Sequence, residues 1–587
     1  MKKPHLWIAI VTAIMLGTSV GVSASTGTQV PVNEHVLDNG MRLLLVERHD
    51  NPSVVGGWVA HVGSANEQAG VTGIAHLFEH MMFKGTSTIG TTDGMKELEI
   101  MSRLDAVRLE MEAEYTKLRG AKRRGKVQGS IYLPENRTPR LEKLFTQMKA
   151  LQDEQHEFIV KDEYDKIYTA MGASSLNAFT NQDMTTYFAN VPANKLELWF
   201  WMESERLMNA VFREFYSERD VVREERRMLV ESNPTAKFEE QFESMFWNAS
   251  PYHHPIIGWP SDVEAISRAQ ANEFFATYYA PNNITAAIVG DFEPDEVLAL
   301  AEKYFGRIPR GETPPPEVVT EELEQLQERR MIAEADTNPS VQIRWRGVSF
   351  VNDDQHALDV LTSILAGRTG RLYKSLVEEH TMATGEPYAY LRAMKFDGLI
   401  EVGAELAEGV THQEVEEALL GEISRLKNEP VSDHELQKVK NQSLADSYRR
   451  LQSNFFLMLQ LLIYDAMGDW HFLNDSAAAI EAVTAEDIQR VSNEYFKNTG
   501  RNTLWYVRKE GSMEDPDLAA LSGQAKQVAK QMIAQISQEE DVAHLQMAVA
   551  QMQAGIGQAP EEFRPALELV VKRIRERISL LEAEKGE

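Results

Sequence analysis

Three residues within one short stretch carry the strongest chemical signal in this chain. In Gly73-Ile74-Ala75-His76-Leu77-Phe78-Glu79-His80-Met81-Met82-Phe83-Lys84-Gly85-Thr86 the pattern is H-x-x-E-H. Apolar residues fill the gaps, and neither Pro nor Gly falls between Ile74 and Lys84, so the spacing predicts a buried helix. On a helix His76 and His80 project from one face one turn apart, which lets two imidazole nitrogens reach one ion. Glu79 lies beside them, placed to take a proton from a water at that ion. The order is H-E-x-x-H reversed. A core helix whose histidines bond to backbone would read the same way, so a third ligand has to be found elsewhere.

The elements that must position these residues belong to a long chain. At 587 residues it exceeds one ordinary domain, and 43% hydrophobic residues are enough for several cores. A formal net charge of −29 speaks against nucleic acid, whose phosphates need a basic surface. Residues 1–24 read as a secretory signal peptide: Lys2 and Lys3, an apolar run from Leu6 to Val22, then Val22-Ser23-Ala24 as the cleavage site. The expected location is therefore the periplasm or another exported compartment. With no cysteine present, His and carboxylates are the only strong zinc ligands on offer.

After the signal, Leu37-Asp38-Asn39-Gly40 is a turn before a strand at 41–47, and Val54–Val62 is a second strand. From about 96 to 160 the pattern becomes helical, with Leu104, Val107, Met111, Tyr115 and Leu118, then Leu141, Leu144, Met148, Leu151 and Phe158. These predict a helical insertion of two helices joined by the basic run Lys117–Lys126, a solvated tip or a contact for acidic headgroups. Residues Ala173–Thr180 and Thr185–Val191 read as strands around Asn181-Gln182-Asp183, followed by helices at 195–211 and 216–230, the latter with Ser217 as N-cap. His61, on a strand, and His253-His254, in a loop, take structural roles.

A Pro/Gly-rich linker is expected at 309–330. Beyond it the pattern restarts: Val263–Tyr279 matches Ile480–Phe496 at a constant offset of 217 (482 − 265), and strands follow in both. The expected fold is α+β: two homologous domains, each a mostly antiparallel sheet covered by helices, at 25–308 and 331–510. The second copy has no H-x-x-E-H around Leu358–Gly367. A helical tail at 511–587 places Leu567, Val570, Ile574, Ile578 and Leu581 on one stripe, to dock on the body or on a partner.

Taken together, the H-x-x-E-H helix, "SLNAFTNQDMTTYFANV", "ERDVVREE", "HPIIG", "YYAPNNITAAIVGDF" and the degenerate second copy resemble the pitrilysin and insulinase family of zinc peptidases, in its short bacterial form related to the mitochondrial processing peptidase. The resemblance covers roughly residues 30–510, outside the insertion and tail. It implies half of a clamp, one Zn2+ per chain, and Glu225 as third ligand, the last Glu of Glu218-Arg219-Asp220-Val221-Val222-Arg223-Glu224-Glu225. Glu218, two turns earlier, would orient a ligand His. Glu224 points about 100° away on a helical wheel. His80 and Glu225 stand 145 residues apart (225 − 80), a gap lengthened by the insertion.

The implied reaction is metal-assisted endopeptidase hydrolysis of peptides or unfolded chains with Glu79 as base. Leu176, Asn177, Ala178, Phe179 and Thr180 would form the strand that pairs with substrate. The family's second domain supplies an Arg and, seven residues on, a Tyr; here those positions hold Val377 and Thr384, with Tyr388, Tyr390 and Arg392 nearby at the wrong spacing. That departure implies a dimer, including a heterodimer in which a homologous subunit brings Arg and Tyr. The alternative is a non-catalytic peptide-binding or scaffold subunit of a heteromeric peptidase.

Overall fold

Two β-sheets organise the computed structural model, which describes residues 29–509, 516–519, 521, 523–539, 541–557 and 559–584. The expected signal peptide lies outside the described residues. The first sheet contains β1 (Asn33–Val36), β2 (Arg42–Glu47), β3 (Ser53–Ala60), β4 (Ser174–Thr180), β5 (Thr185–Pro192) and β6 (Ile284–Gly290), in the order β1-β2-β6-β3-β5-β4. The second contains β7 (Arg329–Ala335), β8 (Ser340–Arg346), β9 (Ala383–Ala393), β10 (Gly398–Leu406) and β11 (Asn502–Arg508), in the order β7-β11-β8-β10-β9. In each sheet one pair is parallel, β2 with β6 and β11 with β7, and the rest are antiparallel. The architecture is α+β, and the two sheets follow one strand order apart from β1.

Helices complete the repeat. They are α1 (Ile74–Met81), α2 (Gly94–Arg123), α3 (Pro139–His156), α4 (Phe215–Arg226), α5 (Ala236–Phe246), α6 (Arg268–Tyr278), α7 (Gln355–Leu365), α8 (Asn454–Met467) and α9 (Ala485–Tyr495), with further helices between them. Helix α9 begins 217 residues after α6 (485 − 268), which is the sequence offset. At nearly the same offset α8 follows α5, and these two helices cross over. Leu457, Met458, Leu461 and Leu462 of α8 bury against Leu44, Val46, Val55, Val59, Ala287 and Val289 of the first sheet. Phe242 of α5 buries against Ala333, Ala335, Leu504 and Tyr506 of the second. Each half thus covers one face of the other half's sheet.

Two local readings change. The basic run does not form the connection: α2 continues through it to Arg123, and residues 124–138 make the link to α3. Lys and Arg complement the partial negative charge at a helix C-terminus, and the single Gly120 costs only about 1 kcal/mol relative to Ala. Arg103 pairs with Glu154 and Arg140 with Glu110, so α2 and α3 run antiparallel. Ser217 is not an N-cap, because burial of Phe215 and Tyr216 starts α4 earlier, after Glu214 at φ 54°. Ser217 Oγ instead accepts a hydrogen bond from Gln152 Nε2 at 3.1 Å. Helices Gly523–Gln538, Val542–Ile556 and Arg564–Glu584 share a core of their own around Ala529, Leu545, Val570 and Ile574. No helix among the described residues is long and apolar enough to cross a membrane.

Candidate metal centre

Helix α1 buries Ile74, Ala75, Leu77, Phe78 and Met81 and turns the polar residues between them toward α4. Each large apolar side chain buried contributes roughly 1.5–3 kcal/mol, which anchors a helix of only two turns. Its N-terminus is held by a residue far outside the usual capping positions. The Glu67 carboxylate is fully buried and accepts the N–H groups of Gly73 and Ala75, each at 2.8 Å. Gly73 has φ +90°, and a Cβ there would meet Ile257 O at 2.6 Å, so the helix must start on glycine.

Helix α4 brings Glu218 and Glu225, seven residues apart, onto the face opposite α1. Glu225 Oε2 lies 3.4 Å from His80 Nε2 and 3.8 Å from His76 Nε2. One ligand atom from each of the three residues falls within 4.8 Å of the others. His80 Nδ1 lies 3.1 Å from Glu218 Oε1, and with Nδ1–H donating there, Nε2 is left free to bind. Lys84 Nζ in turn sits 2.5 Å from Glu218 Oε2. The five residues therefore form one chain of contacts, while Glu224 turns away to pair with Arg227. His61 lies against Asp465, and His254 near Glu67; neither joins the cluster.

The electrostatics separate the two imidazoles. Burial pushes His76 down to about 4, against the pull of Glu225, so it is neutral at physiological pH. Burial also works against the charge on His80, but Glu218 and Glu225 outweigh it and raise His80 to about 9. Burial raises the Glu79 carboxyl, against the neighbouring Thr180 and His80. Thr180 Oγ1 itself is buried without a well-formed hydrogen bond, so it acts on Glu79 as a close neighbour.

These residues fit a divalent ion with borderline ligand preference. Glu225 Oε2 is buried and has no hydrogen-bond partner of good geometry, an expensive state for a carboxylate oxygen unless something binds it. Ligands at zinc bond lengths of about 2.0–2.1 Å in a tetrahedron stand about 3.4 Å apart, close to the 3.4 and 3.8 Å that separate Glu225 Oε2 from His80 Nε2 and His76 Nε2. Two imidazoles and one carboxylate leave a fourth position open.

Among the described residues strand β4 is the outer edge of its sheet, paired with β5, and it carries Leu176–Thr180 past α1. The second half, among the described residues, brings together no equivalent of the site. Val377 packs partly buried against its core, and Thr384 lies on β9. Tyr388 donates to Glu401 at 3.0 Å, and Arg392 pairs with Glu243 at 2.6 Å, so both are engaged within the chain.

A two-sheet α+β fold with His, His and Glu converging from two helices defines a class of metallopeptidase-like proteins, and comparison with known proteins gives the family. Residues 42–104 and 159–259 match the model of "Insulinase (Peptidase family M16)", and residues 265–443 match "Peptidase M16 inactive domain". The chain belongs to peptidase family M16. The break between 104 and 159 falls on the helical insertion. Zinc protease PqqE of Helicobacter pylori is 24% identical over 502 residues, covering 84% of this chain and 96% of that protein. A probable mitochondrial-processing peptidase subunit beta of Arabidopsis thaliana is 24% identical over 343 residues, covering 55% of this chain and 62% of its own. Among solved structures, a protease from Helicobacter pylori superposes with a TM-score of 0.66 at 22% identity, over 82% of this chain and all of that one. The periplasmic protease PqqL of Escherichia coli gives 0.60 at 17% identity, over 84% of this chain and 50% of that one.

The sequence missed Glu67, Lys84 and the role of Thr180. Capping from seven residues before the helix has no local signature, and a Lys three residues past α1 looks like any surface charge. Each becomes visible only once the fold is assembled.

Proposed function

We propose that this chain is an exported zinc endopeptidase acting on peptides or unfolded polypeptides, with one zinc held by His76, His80 and Glu225. The observation that carries the reading is the convergence of three ligand atoms within 4.8 Å, one of them a buried carboxylate oxygen without a hydrogen bond, beside Glu79 and an open sheet edge. When bound, zinc supplies Lewis-acid chemistry, polarising a scissile carbonyl and acidifying water. The rest falls to side chains. Glu79 takes a proton from the attacking water at its carboxylate and holds it for the leaving amine, and its burial, which raises its basicity, suits both transfers. Glu218 orients His80 through Nδ1. The unpaired edge of β4 at Leu176–Thr180 offers main-chain groups to an extended peptide, a geometry that only an unfolded or short substrate can adopt.

Export is supported by the lysine-flanked apolar start of the sequence and by the fold shared with a periplasmic protease. Engagement of Tyr388 and Arg392 within the chain favours a second reading of the assembly. In it a homologous subunit completes the site with Arg and Tyr, and the active unit is a heterodimer. A scaffold role without catalysis is the competing function. Purified chain, alone and with a co-purified partner, is to be assayed on an unstructured peptide against Glu79→Gln. The reading expects the variant to keep its zinc and lose about 100- to 10,000-fold in rate. Equal rates for wild type and variant would remove Glu79 from the chemistry.

A further inference from the structure

Helix α4 presents two faces built on the same spacing. Glu218 and Glu225 face α1, and each is followed directly by an arginine, Arg219 and Arg226. Both arginines are buried and point the other way, into the segment 258–266. Arg219 Nη1 donates to Glu264 O at 2.9 Å, and Arg226 Nη1 donates to Gly258 O at 2.9 Å. Arg226 Nη2 also reaches Glu240 Oε1 on α5 at 2.8 Å.

The acceptor at Gly258 matters because of what the turn touches. Gly258 has φ +79°, and a Cβ there would meet Thr72 O at 2.2 Å and Gly73 Cα at 2.6 Å. Reciprocally, a Cβ on Gly73 would meet Ile257 O at 2.6 Å. The Ile257-Gly258 turn is therefore seated directly on Thr72 and Gly73, the two residues that lead into α1. A further bond, Trp259 N to Thr72 Oγ1 at 2.9 Å, locks the turn in that seat. One guanidinium thus connects the helix that carries Glu225 to the turn that abuts the helix carrying His76 and His80.

We propose that Arg226 is a positioning residue for the metal centre: by bracing α4 against the Ile257-Gly258 turn it sets the distance from Glu225 to the two histidines. This rests on the zinc reading above. The brace does not touch metal or substrate. It fixes the separation of two helices whose side chains must meet within a few tenths of an ångström to share one ion. Arginine suits the role because its planar fork spans two acceptors in fixed directions, where a lysine ammonium reaches one.

The test perturbs the brace from both ends, with Arg226→Lys on α4 and Gly258→Ala in the turn, using the full chain. Zinc affinity is read by chelator competition, the ligand field by the visible spectrum of the cobalt(II)-substituted protein, and metal-free stability by thermal melting. The expected result is a zinc affinity reduced about 10- to 100-fold in both variants, with a shifted cobalt spectrum. The metal-free melting midpoint of Arg226→Lys should stay within about 3 °C of wild type, whereas Gly258→Ala, strained at φ +79° and pressed on the Thr72 backbone, melts lower and is read by its cobalt spectrum. Zinc affinities within about twofold of wild type with an unchanged cobalt spectrum would overturn the proposal. So would weakening in Arg226→Lys that merely follows a large loss of its metal-free stability, which marks general loosening. If one variant does not fold, the other decides. His76→Ala separates the two claims: zinc binding unchanged by it removes the site itself and the brace with it, whereas loss of zinc there and none in the brace variants removes the brace alone.

Discussion

At the residue scale, proton competition at His80 is the most accessible consequence of the site. His80 is raised to about 9 in the metal-free protein, so at neutral pH it carries a proton that a metal must displace. His76, held near 4, is already neutral and adds no such dependence. Apparent zinc affinity should therefore rise about tenfold per pH unit from neutrality to about pH 9 and level off above it. Chelator competition across that range measures this, and a flat profile after correcting for the chelator's own protonation would contradict it. His76, Glu79 and His80 were legible because three chemically distinctive residues fall within five positions. Glu225 was legible only through the resemblance, since a Glu in Arg223-Glu224-Glu225-Arg226 looks like any charged helix and its partners lie 145 residues away. Arg226 was hidden for the same reason, and its burial appears only in the fold.

At the element scale, α1 depends on Glu67. Truncating that side chain leaves the Gly73 and Ala75 N–H groups buried without acceptors, and each unsatisfied buried donor costs about 1–3 kcal/mol. Glu67→Ala is expected to lower unfolding free energy by several kcal/mol in chemical denaturation; a loss below about 0.5 kcal/mol would show that the cap carries no weight. Periodicity located the strands flanking α1 within one or two residues, because their alternation and turns are local. It failed at the ends of α2 and α4. Solvated lysines and arginines do not end a helix, and a serine is not a cap when two buried aromatics start the helix before it.

For the whole molecule, the repeated pattern was visible as a self-match, but the crossing of α5 and α8 was not. An offset in sequence says that two units are alike and nothing about how they pack. The crossed helices are each fixed by buried charge. Asp465 of α8 meets Arg42 at 2.8 Å, Thr285 at 2.5 Å and His61 at 3.3 Å on the first sheet. On the second sheet Arg344 meets Glu239 at 3.1 Å and Glu243 at 2.9 Å, both of α5, as well as Glu401. Arg344→Met would strand these carboxylates and should destabilise the chain by about 3–5 kcal/mol, read by denaturant unfolding; a change under about 1 kcal/mol would contradict the lock. The proposed function places one ion between α1 and α4, and metal content tests that most directly. Elemental analysis of purified wild type, His76→Ala, Glu225→Ala and Glu79→Gln should give about one zinc per chain for wild type and Glu79→Gln and none for the two ligand variants. Wild type without zinc, or Glu225→Ala retaining it in full, would contradict the account.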